Sequence, residues 1–134
     1  MWFAQRDNGA RRPGPLRVLI IEDDAYAREA LEYFLTAEGF QTQSVAEGKA
    51  GYRAARRFAP DLIVLDLGLP DMDGKHLIER MRSRRQLRTT PILVVSGSNA
   101  APETVAALGA NAYLTKPVLF DQLKEVLLTM QPAK

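Results

Sequence analysis

The sequence predicts an α/β fold: a doubly wound, five-stranded parallel sheet with helices on both faces. Three observations carry this. Short apolar runs alternate five times with helix-like segments between Leu16 and Met130. The runs are almost continuously apolar, as strands covered on both faces require. Four of them end on a polar group: Glu22-Asp23-Asp24, Asp66, Ser96 and Lys116. In a parallel sheet those four ends lie along one edge, where open α/β sheets keep their sites.

The elements follow in order. The run 16–21 reads as the first strand. A helix near 25–38 places Ala27, Leu31, Phe34 and Leu35 on one face, with Gly39 as its stop. Phe40 to Val45 is a short strand, and Glu47 to Phe58 a helix ended by Pro60. Strand 61–65 leads into a loop, 67–73. A helix starting near Gly74 turns Leu77, Ile78 and Met81 inward. Pro91 precedes strand 92–95. A short helix near 102–108 stops at Gly109. Strand 111–115 and a helix near 119–130 complete the alternation. Residues 1–15, with Gly9, Pro13, Gly14 and Pro15, read as a flexible leader. Residues 16–130 read as one domain, and 131–134 as a tail.

Composition narrows the chemistry. The 134 residues suffice for one domain with a proper core. No cysteine is present, which excludes disulfides, zinc–thiolate sites and a thiol nucleophile. No apolar run approaches membrane-spanning length, and the start of the chain is too soon charged for a signal peptide, so a cytoplasmic protein without membrane insertion is expected. Of the net charge of +2, the first 17 residues hold +3 (four arginines against Asp7), leaving the remainder near −1. That balance gives no reason to expect nucleic acid as a partner of this domain.

Glu22, Asp23 and Asp66 would bring three carboxylates together. Two like charges at about 4 Å repel by roughly 4 kcal/mol at an effective dielectric of 20. Such a cluster takes up protons or binds a hard cation, and a few carboxylates in an open site suit Mg²⁺. Lys116 adds a mobile positive charge and Ser96 a hydroxyl. A carboxylate nucleophile, a divalent cation, a lysine and a hydroxyl form a set suited to phosphoryl transfer, with an aspartyl phosphate on Asp66 as product.

Four segments, in this order, resemble the receiver domain of two-component response regulators. They are Val18-Leu19-Ile20-Ile21-Glu22-Asp23-Asp24, Asp66-Leu67-Gly68-Leu69-Pro70-Asp71-Met72-Asp73-Gly74, Val94-Val95-Ser96-Gly97 and Gly109 to Pro117. The resemblance implies a flavodoxin-like fold with strand order 2-1-3-4-5. It implies Asp66 as phosphoacceptor, Glu22 and Asp23 as the acidic pair at Mg²⁺, and the Gly68 carbonyl as a backbone metal ligand. Ser96 matches the switch hydroxyl, Tyr113 the switch aromatic, and Lys116 the phosphate-pairing lysine. Pro117 matches a proline commonly preceded by a cis bond. The implied donor is a sensor histidine kinase or phosphotransfer protein. The implied output runs through the helix near 102–108, strand 111–115 and the last helix toward a downstream protein, an output domain or a second copy. Such a domain catalyses only its own phosphorylation and dephosphorylation. Glu22 stands where aspartate is common, and small residues at 68 and 98 leave the acyl phosphate little shielded from water.

Other residues have plainer readings. Asp24 is a helix cap, Asp71 and Asp73 are turn and cap residues, and His76 faces solvent. The arginines at 53, 56, 57, 80, 82, 84, 85 and 88 read as solvated helix faces, with no nucleic-acid recognition motif beside them. Tyr26, Ala30 and Tyr33 form a second stripe on the first helix, a candidate surface for kinase docking. Two other functions stay open. A phosphatase of the haloacid-dehalogenase type would use the same nucleophile, but it wants a second acid where Gly68 stands. A binding module that never takes phosphate would not need the full set of acids, hydroxyl and lysine.

Overall fold

The computed structural model describes residues 14–97 and 101–130. The sequence readings for most of the leader, for Ser98 and for the tail lie outside the described residues. In chain order the elements are β1 (Arg17–Ile21), α1 (Ala25–Ala37), β2 (Gln41–Val45), α2 (Gly48–Phe58), β3 (Leu62–Leu65), α3 (Gly74–Ser83), a 3₁₀ turn (Arg85–Leu87), β4 (Ile92–Ser96), α4 (Pro102–Leu108), β5 (Ala112–Thr115) and α5 (Phe120–Thr129). The strands form one sheet in the order β2-β1-β3-β4-β5, every pairing parallel.

Strand periodicity divides the core into two layers. Val18, Ile20, Val64, Leu93 and Val95 point to one face, where Leu31 and Leu35 of α1 and Leu123 and Leu127 of α5 cover them; Leu16 and Met130 close the far end of this layer. Leu19, Ile21, Ile63, Leu65 and Val94 point to the other face, under α2, α3 and α4. Both faces are dry, so β1, β3 and β4 read as unbroken apolar runs. β2 is an edge strand and its Gln41-Thr42-Gln43-Ser44 is correspondingly polar.

The helix ends follow their local chemistry. Asp24 caps α1 by accepting from the Ala27 N–H at 2.8 Å, and Asp73 caps α3 by accepting from the Lys75 N–H at 2.9 Å. α4 ends at Gly109, whose φ of 118° lies in the left-handed region. No helix among the described residues is long and apolar enough to cross a membrane.

Two features differ from the sequence reading. The 3₁₀ turn Arg85–Leu87 was not anticipated; it buries Leu87 in the second core layer. Arg82, expected on a solvated helix face, is half-buried and works as a clamp. Its guanidinium donates to the carbonyls of Gly109, Leu87 and Arg88 and to Asn111 Oδ1, at 2.7–3.2 Å. Asn111 Oδ1 in turn accepts from the Ile92 N–H at 2.9 Å. One side chain thus ties the end of α3 to the α4–β5 connection and to the start of β4.

Candidate functional site

The parallel register assembles the site. β1 and β3 pair through Ile21 and Leu65, and the Asp66 N–H donates to the Ile21 carbonyl at 2.9 Å. Glu22 and Asp66 therefore leave the sheet side by side. On the other side Ser96 pairs with Thr115, and the Lys116 N–H donates to the Ser96 carbonyl at 3.1 Å. All four predicted strand ends thus reach one edge of the sheet. Glu22, Asp66 and Ser96 are buried polar residues, whereas Asp23 is exposed.

Lys116 closes the group. Its Nζ lies 2.5 Å from Glu22 Oε1 and 3.0 Å from Asp66 Oδ2. The peptide joining it to Pro117 is cis, as the resemblance implied. Asp66 Oδ1 accepts from the Gly68 N–H at 3.1 Å, and Glu22 Oε2 from the Asp24 N–H at 3.1 Å. Glu22, Asp23 and Asp66 can each offer one carboxylate oxygen, all within 4.8 Å of one another. That donor set, oxygen-only and half open to solvent, fits a hard divalent cation.

The two buried acids divide their roles. Burial pushes the Glu22 carboxyl up, and with Asp66 beside it the pKa reaches about 7 despite hydrogen bonds from Lys116 and the Asp24 amide. Burial alone would also raise Asp66, but the Gly68 N–H, Lys116 and Glu22 hold it below its ordinary 3.8. For Lys116 burial works downward, and its bonds to Glu22 and Asp66 outweigh it, so its pKa is raised. Near neutrality, then, Asp66 is the ionised acid, and Glu22 is the one that takes up a proton first as the pH falls.

A stability prediction follows from that proton. Between Glu22's ordinary 4.5 and about 7 the folded state binds more protons than the unfolded chain, so stability falls as pH rises through this window. Asp66, lowered from 3.8, and Lys116, raised from 10.5, titrate outside it. In urea unfolding without divalent cation, the wild type should lose more stability between pH 5 and about 7.5 than Glu22→Gln, which mimics the protonated acid. Parallel profiles for the two proteins would contradict the assignment.

The loop after β3 is tightly folded. Gly68 and Asp73 form an isolated antiparallel bridge, and the Gly74 N–H donates to the Leu67 carbonyl at 2.9 Å. A Cβ on Gly74 would lie 2.5 Å from the Leu67 Cα, so only glycine permits this closure. Asp71, read from sequence as a turn or cap residue, caps a helix far from it in sequence: its carboxylate accepts from the N–H groups of Gly48 and Lys49 at the start of α2, at 2.7 and 2.9 Å. The Lys49 and Gly48 amides accordingly lower its pKa. Arg28 was not picked out in the sequence. Its Nη1 donates to the carbonyls of Glu22 and Asp23 at 2.9 and 3.3 Å, holding the acidic turn against α1. The only signal for it is a cation one turn into the helix that follows the acids.

Outside the acid pocket, Tyr113 is half-buried and packs against the second core layer. Together with Pro102, Val105 and Ala106 it lines a cavity of about 170 Å³ beside α4. A larger groove of about 500 Å³ runs between α1 and the β5–α5 connection. Ala27, Ala30, Leu31, Val118 and Phe120 line it, and Glu22 and Lys116 stand at one end. Tyr26 and Tyr33 are 86% and 77% exposed, so neither serves to cover the core. His76 faces solvent as read.

The comparisons agree with this geometry. The profile of the response regulator receiver domain matches residues 18–128. The transcriptional regulatory protein KdpE of Mycobacterium tuberculosis is 38% identical over 107 residues, covering 78% of this chain and 46% of the relative. The cell cycle transcriptional regulator CtrA of Caulobacter vibrioides is 36% identical over 110 residues, covering 81% and 47%. The chain thus spans about half the length of the curated relatives it matches. Among solved structures, the chemotaxis response regulator CheY4 of Vibrio cholerae superposes with a TM-score of 0.81 at 26% identity, covering 87% of this chain and 99% of that one. The receiver domain of the sensor histidine kinase PA1611 of Pseudomonas aeruginosa, solved with magnesium in its active site cleft, gives 0.79 at 27% identity, covering 87% and 97%. Sheet order, strand-end residues and profile coincide over one continuous stretch, and by that agreement the chain belongs to the response regulator receiver domain family of two-component signalling.

Proposed function

We propose that residues 16–130 act as a phosphorylation-dependent switch in the cytoplasm, taking a phosphoryl group onto Asp66 from a histidine kinase or phosphotransfer protein. The observation that carries the reading is the reach of Lys116 to both Glu22 and Asp66, beside three carboxylates able to share one cation. The low pKa of Asp66 supports it as nucleophile. In the proposed reaction the Asp66 carboxylate attacks phosphorus in line, the P–N bond of the donor histidine breaks, and an acyl phosphate forms on Asp66. Lys116 neutralises a phosphoryl oxygen, and the Ser96 hydroxyl turns to donate to another. Mg²⁺, held by Glu22, Asp23, Asp66 and the Gly68 carbonyl, would supply the positive charge that lets a carboxylate approach an anionic donor. Glu22 must release its proton for this, so Mg²⁺ affinity should rise with pH up to about 7.

The test is direct. Incubation with a small phosphodonor and Mg²⁺ should add one phosphoryl group by intact mass, and a chelator should stop it. Unchanged labelling in chelator would sink the role of the metal.

The switch is proposed to run outward through Ser96 and Tyr113 to α4, β5 and α5. The cavity beside Tyr113 supports this, since it offers space for a change of rotamer. Amides from 96 to 120 should move most in NMR spectra on adding beryllofluoride. Shifts confined to the acid pocket would count against a switch.

Kinase docking is proposed on α1. Tyr26, Ala30 and Tyr33 are exposed there, beside the groove that ends on Glu22 and Lys116. The double change Tyr26→Ser with Tyr33→Ser should slow transfer from the cognate kinase tenfold or more, about 1.4 kcal/mol in the barrier. Labelling by a small phosphodonor should stay normal. Equal loss with both donors would remove support for docking.

A further inference from the structure

The arginines that look scattered in sequence gather on one face of the fold. α2 and α3 lie side by side over the second core layer. Along α2, Lys49, Arg53, Arg56 and Arg57 follow i, i+4, i+7, i+8 spacing, and all four are exposed. Arg80 of α3 joins them, its guanidinium 4.5 Å from the Tyr52 ring centroid. The 3₁₀ turn brings Arg85 and Arg88, both exposed, against the end of α2, where Gln86 Nε2 donates to the Arg56 carbonyl at 3.2 Å. Within α2, α3 and this turn Glu79 is the one acid. Among the described residues none of these seven cations forms a salt bridge, although Lys49 lies in the field of the Asp71 carboxylate.

Helix dipoles explain only part of this. Arg56, Arg57 and Arg80 sit in last turns, where cations are favoured. Lys49 sits in the first turn of α2, where the dipole disfavours a cation and the capping Asp71 carboxylate offsets that. Arg53, in the middle of α2, compensates no dipole, and the 3₁₀ turn beside Arg85 and Arg88 is only three residues long.

We infer that the α2–α3 face is a binding surface for the phosphate backbone of a nucleic-acid duplex, read without base specificity. Three observations favour this occupant over a protein or a membrane. The cations form a track: Lys49 to Arg57 covers about 12 Å at 1.5 Å per residue, and Arg85 and Arg88 extend it. All but one are arginines, whose planar fork matches phosphate oxygens. The exposed large apolar side chains, Tyr26, Tyr33, Leu119, Phe120 and Leu128, all lie on α1 and at α5. Tyr52, half-buried beneath Arg80, is the aromatic of the basic face; among the described residues the face therefore has no large exposed apolar side chain to centre a protein interface or to anchor an amphipathic helix in a bilayer. A phosphate backbone needs neither, because its affinity comes from counterion release.

Fluorescence anisotropy of the full 134-residue chain with a short mixed-sequence DNA duplex tests the inference. For about four phosphates neutralised, a fourfold rise in salt should weaken binding about a hundredfold. The triple change Arg53→Ala, Arg56→Ala, Arg57→Ala should lower affinity at least tenfold and flatten the log–log salt slope by about two to three. Arg85→Ala with Arg88→Ala should shift both in the same direction, and serves if the triple variant folds poorly. Circular dichroism and labelling of Asp66 should match wild type in the variants. The arginines of residues 1–13 are present in every protein compared, so a difference belongs to the helical face. Absence of duplex binding at low salt, or equal affinity in wild type and both variants, would overturn the inference. So would salt-sensitive self-association, or capture by anionic vesicles, that the variants lose while no duplex is bound.

Discussion

Asp66→Asn is expected to abolish phosphoryl incorporation from both a small phosphodonor and a kinase. The amide keeps the shape of the side chain but not its charge, so it offers no anionic oxygen for attack on phosphorus. The fold should not suffer. Asp66 is buried beside Glu22, and removing one of two adjacent acids relieves their repulsion while Lys116 keeps Glu22 as partner. The control is Asp71→Asn, another acid of the same loop, whose carboxylate caps α2. It should cost some stability and leave labelling near wild type. Intact-mass measurement decides: wild-type labelling of Asp66→Asn would remove Asp66 as acceptor, and loss of labelling in both would point to the loop rather than the nucleophile.

The second large effect concerns the fold. Arg82→Met should destabilise the protein by about 2–4 kcal/mol, since charge-assisted hydrogen bonds are worth about 1.5–3 kcal/mol each and part of the loss is made good by water. The methionine retains much of the aliphatic stem but leaves the Gly109, Leu87 and Arg88 carbonyls without their donor. The urea midpoint should fall at constant slope. Arg85→Met, on an exposed neighbour, should stay within about 0.5 kcal/mol. A similarly small change for Arg82→Met would show that the clamp contributes little.

These two residues mark what sequence reasoning reaches. Asp66 was legible because its signal is local: four apolar residues followed at once by an acid. Glu22, Ser96 and Lys116 likewise stand at the ends of strand-like runs, and parallel pairing alone brings such ends together. Arg82 was not legible. It stands in a run with Arg80, Arg84 and Arg85, and what separates it is the Gly109 carbonyl, 27 residues away. Asp71 belongs to the same class, since a capping interaction with α2 across 23 residues leaves no periodic trace. α2 itself had no visible inward face, because that face is Gly48, Gly51, Ala54 and Ala55, too small to register as an apolar stripe. Gathering the arginines on one face likewise depends on how α2 and α3 pack.

Leu16, just before β1, and Met130, just after α5, belong to the same core layer. Strands that all run toward the acid pocket, and a last helix that runs back, bring both ends of the fold to the edge opposite Asp66. Sequence joined before Leu16 or after Met130 would therefore set out from the edge opposite the pocket. The acid pocket and the two ends of the fold thus lie at opposite ends of the strands.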